Sequence, residues 1–222
     1  EISYNRLSGA ITYQSGSPPW DPLKSSYNLL ESCWIHHNSD VGLFGGNYND
    51  GGNADGVSFS TGIGNQARHC LIEYNSDDGA DSWRSKDSQF RYCIIRYNGL
   101  GNGNGNGVKA GGNTEGEGCI VNHNLVYGNL NNGIDANTGI DVDISSNTTW
   151  DNGGVGYVFE PTTAHERNAS IGDGSTHTGT GVPGLPNSWD LTGTPTFIST
   201  TVGNADFLKV TQDGTFDGIG AH

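Results

Sequence analysis

Apolar residues occur in this chain as couplets, not as long stretches. Four segments share one frame: a Cys or Asn, two mostly apolar residues, two variable residues and then Asn. They are Cys33-Trp-Ile-His-His-Asn38, Cys70-Leu-Ile-Glu-Tyr-Asn75, Cys93-Ile-Ile-Arg-Tyr-Asn98 and Asn124-Leu-Val-Tyr-Gly-Asn129. Asn147-Thr-Thr-Trp-Asp-Asn152 follows the frame more loosely. After most of these Asn residues comes a Gly and a second short apolar stretch: Gly79-Ala-Asp-Ser-Trp, Gly107-Val-Lys-Ala, Gly133-Ile-Asp-Ala and Gly156-Tyr-Val-Phe. The first positions of the five segments are 37, 23, 31 and 23 residues apart. The base period is therefore 23, with insertions in the first and third units. A fixed period carrying insertions is the signature of a solenoid whose loops project from its surface. Strands of three to five residues between Gly and Asn turns, at this period, predict an all-β, right-handed, single-stranded parallel β-helix. Each repeat is one coil, stacked at about 4.8 Å on the next.

Stacking turns each frame position into a column. Cys33, Cys70 and Cys93 are expected above one another inside the coil, as small apolar fillers and not as a disulfide framework. Asn38, Asn75, Asn98, Asn129 and Asn152 are expected to form a ladder of side-chain amides in one turn. The expected organisation is a single domain over residues 1–222. Its core coils lie at about 26–160, and an irregular, Thr-, Gly- and Pro-rich region at 161–222 leads to a capping strand near Phe207-Leu-Lys-Val.

Composition sharpens this reading. The 222 residues include 36 Gly, 5 Trp, 9 Tyr and 7 Phe, with 32% hydrophobic and 15% charged. Disordered chains are rich in charge and poor in aromatics, so this pattern indicates a loop-rich folded β protein. The net charge of -14 disfavours nucleic acid and anionic membrane surfaces as partners. No apolar run approaches the ~18 residues of a membrane span. The absence of Met suggests that sequence once continued upstream, and a secreted, extracellular and monomeric protein is expected.

The candidate chemistry lies in the strand after the Asn turn. Aligned on their Gly, Asn53-Ala-Asp55-Gly56 and Ser76-Asp77-Asp78-Gly79-Ala-Asp81 place Asp55 and Asp78 in one slot. Asp81, Lys109 and Asp135 share another slot, two residues after the Gly, and face the same way. Asp55, Asp77, Asp78 and Asp81 should converge, with Lys109 on the next coil beside them. A turn-forming role explains any one of these Asp residues. Three acids in five residues with no adjacent base require a cation, and an all-oxygen set selects a hard one, best Ca²⁺.

The three motifs together, Asn-Ala-Asp-Gly, Asn-Ser-Asp-Asp-Gly-x-Asp and Gly-Asn-Gly-x-Lys-x-Gly-Gly, resemble the family 9 polysaccharide lyases, pectate lyase-like parallel β-helices. The resemblance covers about residues 26–160. It implies calcium binding by Asp55, Asp77, Asp78 and Asp81, with Lys109 as Brønsted base. The chain departs from the family in lacking an N-terminal part and in having Ala80 where a large aromatic is frequent. The implied reaction is β-elimination on a uronic-acid polymer, an acidic polysaccharide, with polygalacturonate as the default. Six of the ten Lys and Arg lie between 68 and 109, which suits a polyanion. Arg84 is the expected clamp on a substrate carboxylate. Trp83 is a candidate sugar platform, and Asp135 a further groove residue.

Two other readings remain at this level. A polygalacturonase-type hydrolase would use two carboxylates as acid and base, but its Gly-His-Gly and Arg-Ile-Lys motifs are missing. A non-catalytic, glycan-binding solenoid would need only the surface.

Overall fold

The computed structural model describes residues 1–14, 21, 24–43, 50–112 and 116–221. It is a parallel β-helix with three seven-stranded sheets. The first sheet contains Ile2–Ser3, Trp34–His36, Leu71–Glu73, Ile94–Arg96, Leu125–Tyr127, Thr148–Trp150 and Ala169–Ile171. The second contains Ala10–Thr12, Val57–Phe59, Ala80–Asp81, Val108–Lys109, Ile134–Asp135, Val155–Val158 and Ser175–Thr178. The third contains Leu29–Glu31, Gln66–Arg68, Gln89–Arg91, Ile120–Asn122, Asp143–Ser145, Ala164–Glu166 and Val182–Pro183. Each strand pairs in parallel with its counterpart one coil away.

Alternation along these short strands decides what is inside. Ile35, Ile72, Ile95 and Val126 stack as the central inward column of the first sheet, all fully buried. Val57, Ala80, Val108, Ile134 and Tyr157 do the same in the second. In the third sheet Phe90 stacks parallel to Phe59 across the lumen, with ring centroids 5.3 Å apart. Burying each such aliphatic side chain stabilises the coil by about 1.5–3 kcal/mol. The stack has no long-range hairpin to set its register, so the columns themselves fix it.

The Asn column forms as expected and runs further. Asn38 donates to Asn75, Asn75 to Asn98, Asn98 to Asn129 and Asn129 to Asn152, with Nδ2–Oδ1 distances of 2.8–3.0 Å. The ladder begins at Asn5 and closes on the Asp173 carboxylate, which accepts from both the backbone and the side chain of Asn152. The Cys column is also continuous. The carbonyls of Cys33, Cys70, Cys93, Asn124 and Asn147 accept from Leu71 N, Ile94 N, Leu125 N, Thr148 N and Ala169 N on the following coils. All four Cys are free thiols. The Cys70 and Cys93 thiols donate to the Arg68 and Arg91 carbonyls, both at 3.3 Å. Cys33, on the first coil, is half-buried and packs against the core.

Two boundaries differ from the expectation. The coils begin at Ile2 and continue to Pro183, so strands occupy part of the region read as irregular. No strand forms at Phe207–Val210. There Phe207 packs edge-on against Tyr127 and Trp150, and Phe197 against Trp150, so the tail covers the outer face of the first sheet. The last coil is closed instead by the turn Ser188–Asp190, whose Trp189 stacks on His177 at 4.7 Å and lies against Tyr157.

Candidate metal centre and base

The two insertions predicted from the spacing both follow the Asn turn, and they meet beside the second sheet. Asn102 N donates to the Asp50 carbonyl, and Gly101 N to the Ser76 carbonyl. Asp55 sits where the first of these loops enters the second sheet, and Asp77, Asp78 and Asp81 lie on the coil between the two loops, which has no insertion. Asp55 and Asp78 stack in one slot, linked by Gly56 N donating to the Asp78 carbonyl. Asp81 pairs in register with Ser58 on one side and Lys109 on the other, and Lys109 pairs with Asp135. Asp55, Asp77 and Asp78 each place one carboxylate oxygen within 4.8 Å of the others, and all three are buried.

The Lys109 ammonium lies 2.8 Å from Asp78 Oδ2 and 2.9 Å from Asp81 Oδ2. Asp78 Oδ1 accepts from both the backbone and the side chain of Asn106, at 2.7 and 3.0 Å. Asp77 Oδ1 accepts from Asn104 N at 2.6 Å. A side chain at Gly103 would collide with that same carboxylate, so the loop can close over Asp77 only with Gly there. Asp55 Oδ1 and Asp81 Oδ1 are buried and have no hydrogen-bond partner. Such orphaned acceptors are costly in a folded protein unless something satisfies them.

The electrostatics follow from burial. Burial and the neighbouring Asp81, Asp78 and Asp77 charges push the Asp55 carboxyl well above its ordinary range. Asp77 is pushed up to about 7 by burial and by Asp78. Burial raises Asp81 to about 6, against the opposing pull of Lys109. For Lys109, burial disfavours the charge, but Asp81, Asp78 and Asp55 outweigh it and hold the ammonium far above the usual lysine range. The cluster is thus short of positive charge. Carboxylates only, two of them with unsatisfied oxygens, fit a hard divalent cation.

Asp55, Asp77, Asp81, Lys109 and Trp83 line one groove of about 470 Å³ on the outer face of the second sheet. Asp78 lies beneath it, fully buried. Arg84 is not among the residues lining the groove. Its guanidinium sits 4.0 Å from the centroid of the Trp83 ring. Asp135 is likewise outside the lining. Burial raises its carboxyl, and it accepts from Asn137 N at 2.7 Å and Asn132 Nδ2 at 3.0 Å, so it holds Asn137, which does line the groove. Sequence reasoning did not single out Asn106, although it occupies the slot of Asp55 and Asp78 immediately before Gly107. It also did not single out Ile11 and Tyr13 at the far end of the groove.

Residues 4–168 match the family described as Pel9A-like, right handed beta helix region. The chain belongs to the Pel9A-like β-helix family. Within that family's range lie the Asp cluster, Lys109 and both insertions. Among curated proteins, Pectate lyase L of Paenibacillus polymyxa (strain SC2) is 27% identical over 178 residues, covering 61% of this chain and 39% of that protein. The structure of pectate lyase Pel9A superposes with a TM-score of 0.75 at 22% identity, over 96% of this chain and 57% of that one. A rhamnogalacturonan lyase superposes at 0.64 with 21% identity, over 88% of this chain and 60% of that one. The chain thus spans 39%, 57% and 60% of the length of these three proteins, less than two thirds of each. Among the described residues no helix is long and apolar enough to cross a membrane.

Proposed function

We propose that this chain is a calcium-dependent polysaccharide lyase that cleaves a uronic-acid polymer, polygalacturonate by default, by β-elimination. The observation that supports it most is one amine, Lys109 Nζ, held within 3 Å of Asp78 and Asp81 at the edge of a three-carboxylate cluster that opens on a groove. Asp55, Asp77, Asp78 and Asp81 would hold the ion. A bound Ca²⁺ supplies charge that offsets these carboxylates, engages the substrate carboxylate and stabilises the negative charge that develops next to C5.

The protein's own residues then have defined tasks. Lys109 Nζ takes the C5 proton. The C–H electron pair becomes the C4=C5 double bond, the C4–O bond breaks, and the departing sugar oxygen takes a proton from water. Lys109 can accept a proton only when neutral, and Asp81, Asp78 and Asp55 favour its charged form. An alkaline optimum follows. Asn106 orients Asp78, and through it Lys109. Trp83 offers a sugar platform. Arg84, stacked on it, positions the indole, where the sequence had suggested a direct carboxylate clamp. The reading includes a secreted, monomeric protein.

Steady-state kinetics of two variants at saturating Ca²⁺ test the role of Lys109. Lys109→Ala is expected to lower turnover by about 10²–10⁴. Lys109→Arg is expected to rescue poorly, because a guanidinium does not give up its proton. A fully active Arg variant would end the general-base assignment.

A further inference from the structure

We infer that Cys33 and Cys70 form a modification site, a thiol pair that closes to a disulfide when the protein meets a small-molecule disulfide, and that the link clasps the first insertion of the solenoid. The inference is independent of the lyase reading. The fold forms with all four thiols free, so the link is an addition to it and not a framework it requires.

Register brings the two residues together. Trp34 pairs with Leu71 and Leu71 with Ile94, so Cys33 faces Cys70, and Cys70 faces Cys93, each one coil apart. Paired strands lie about 4.8 Å from each other. That spacing falls inside the roughly 4.4–6.8 Å between Cα atoms that a disulfide spans. The Cys70 sulfur leans towards the coil of Cys33, 3.7 Å from the Leu30 carbonyl and 3.3 Å from that of Arg68. The Cys33 thiol donates to the Glu31 carbonyl at 3.5 Å. The two thiols are within hydrogen-bonding reach of each other.

Cys70 stands between two thiols, and access decides which of them takes it. Cys33 is half-buried, whereas Cys70 and Cys93 are 2% and 1% exposed. Cys93 is also tied to the coil after it, its N donating to Asn124 Oδ1 at 2.9 Å. Cys119 precedes the strand Ile120–Asn122 in another column, and its thiol meets Ser82. A hydrogen bond from Cys93 lowers the Cys70 thiol to about 7, against the opposing effect of burial. Burial and the neighbouring Cys70 raise the Cys33 thiol. Cys33 is therefore the thiol that a reagent reaches, and Cys70 the one that resolves the intermediate. The Cys33 thiolate attacks one sulfur of the reagent, whose S–S bond breaks, and one reagent thiol leaves with a proton. The Cys70 thiolate then attacks the Cys33 sulfur, forms the protein S–S bond and expels the second reagent thiol. Two protein thiols lose two electrons and two protons, and the reagent gains both. The link joins residues 37 apart and encloses Asp50 to Asp55, the part of the first insertion that leads to the carboxylate cluster. Closing such a loop constrains mainly the unfolded chain.

The test incubates the native protein with oxidised glutathione, blocks the remaining thiols with an alkylating agent under denaturing conditions, and maps the tryptic peptides by mass spectrometry. Two of the four thiols are expected to disappear, with residues 25–68 joined to residues 69–84. The rate is expected to rise several-fold from about pH 7 to about pH 9, as the Cys33 thiol ionises. The linked protein is expected to melt roughly 5 °C or more above the reduced one, and dithiothreitol should reverse the shift. Cys33→Ser is expected to abolish the link, and Cys93→Ala to leave it. Should Cys93→Ala fail to fold, the peptide map of the unaltered protein decides alone. Residues 69–84 joined to residues 92–96, which carry Cys93, would overturn the inference. So would four titratable thiols after oxidation, or glutathione retained on Cys33 without a second step. A linked protein that melts no higher than the reduced one would overturn the clasp. Each of these outcomes leaves the lyase reading untouched.

Discussion

Lys109 and the carboxylates around it form a balance of charge that single substitutions can tip in opposite directions. Asp55 contributes a buried oxygen with no partner and a carboxyl whose ionisation is opposed by burial and three like charges. Asp55→Asn is therefore expected to weaken calcium binding by about tenfold or more and yet to raise the melting temperature in chelator, because a repulsive charge has gone. Calorimetry and thermal melts of the same variant check both signs, and a lowered melting temperature in chelator would contradict the electrostatic account. Lys109→Ala separates the same effects from the other side. It removes a cation that competes for Asp78 and Asp81, so calcium affinity is expected to hold or improve while turnover collapses. The cluster also sets a pH dependence. Asp77 at about 7 and Asp81 at about 6 lie above their unfolded values near 4. A group raised on folding stabilises the fold fully below its unfolded pKa and loses that contribution as pH rises through the folded one. The chelated protein is thus expected to melt progressively lower between about pH 4 and pH 8 as these two groups ionise, and saturating Ca²⁺ should flatten the trend. Lys109 stays charged across that window and adds no slope there. A chelated melting temperature that climbs from pH 5 to 8 would contradict this picture.

At the scale of the coil, the Asn ladder is the element whose loss should be felt most. Asn98 donates through its side chain to Asn129 and accepts from the backbone and side chain of Asn75. Asn98→Ala strands buried donors on Asn75, each worth about 1–3 kcal/mol. The expected outcome is a destabilisation of several kcal/mol by chemical denaturation, and a loss under about 1 kcal/mol would show that the ladder is incidental. Both this ladder and the Cys–Asn column were legible in the sequence because each repeats one residue type at one position. The third sheet was not. Gln66-Ala-Arg68 and Gln89-Phe-Arg91 turn one apolar residue inward between two polar ones, which leaves too little contrast to read as a strand. The last coil was hidden for a related reason. Ser170 and His165 take inward positions that Ile95 and Phe90 occupy earlier, so packing continues after the apolar pattern has faded.

Across the whole molecule, the site is legible where it depends on register and obscure where it depends on loops. Asp55 with Asp78, and Asp81 with Lys109, follow from counting residues after a Gly, because a parallel coil converts equal spacing into adjacency. The separation of Arg84 from the groove lining does not follow from spacing, since its course is set beyond the end of the strand Ala80–Asp81 by stacking on Trp83. Nor does the contribution of Ile11 and Tyr13, which reach the site from the first described coil, some seventy residues earlier in the chain than Asp81. The central claim is that this assembled groove breaks a glycosidic bond by elimination, without consuming water. Mass spectrometry of fragments released from a uronate polymer in heavy-oxygen water, with Ca²⁺ and with chelator, tests it most directly. Elimination predicts unsaturated fragments that carry no heavy oxygen introduced at the cut, formed only with Ca²⁺. Saturated fragments gaining one heavy oxygen per cleavage, formed equally well in chelator, would show hydrolysis by the carboxylates and contradict the account.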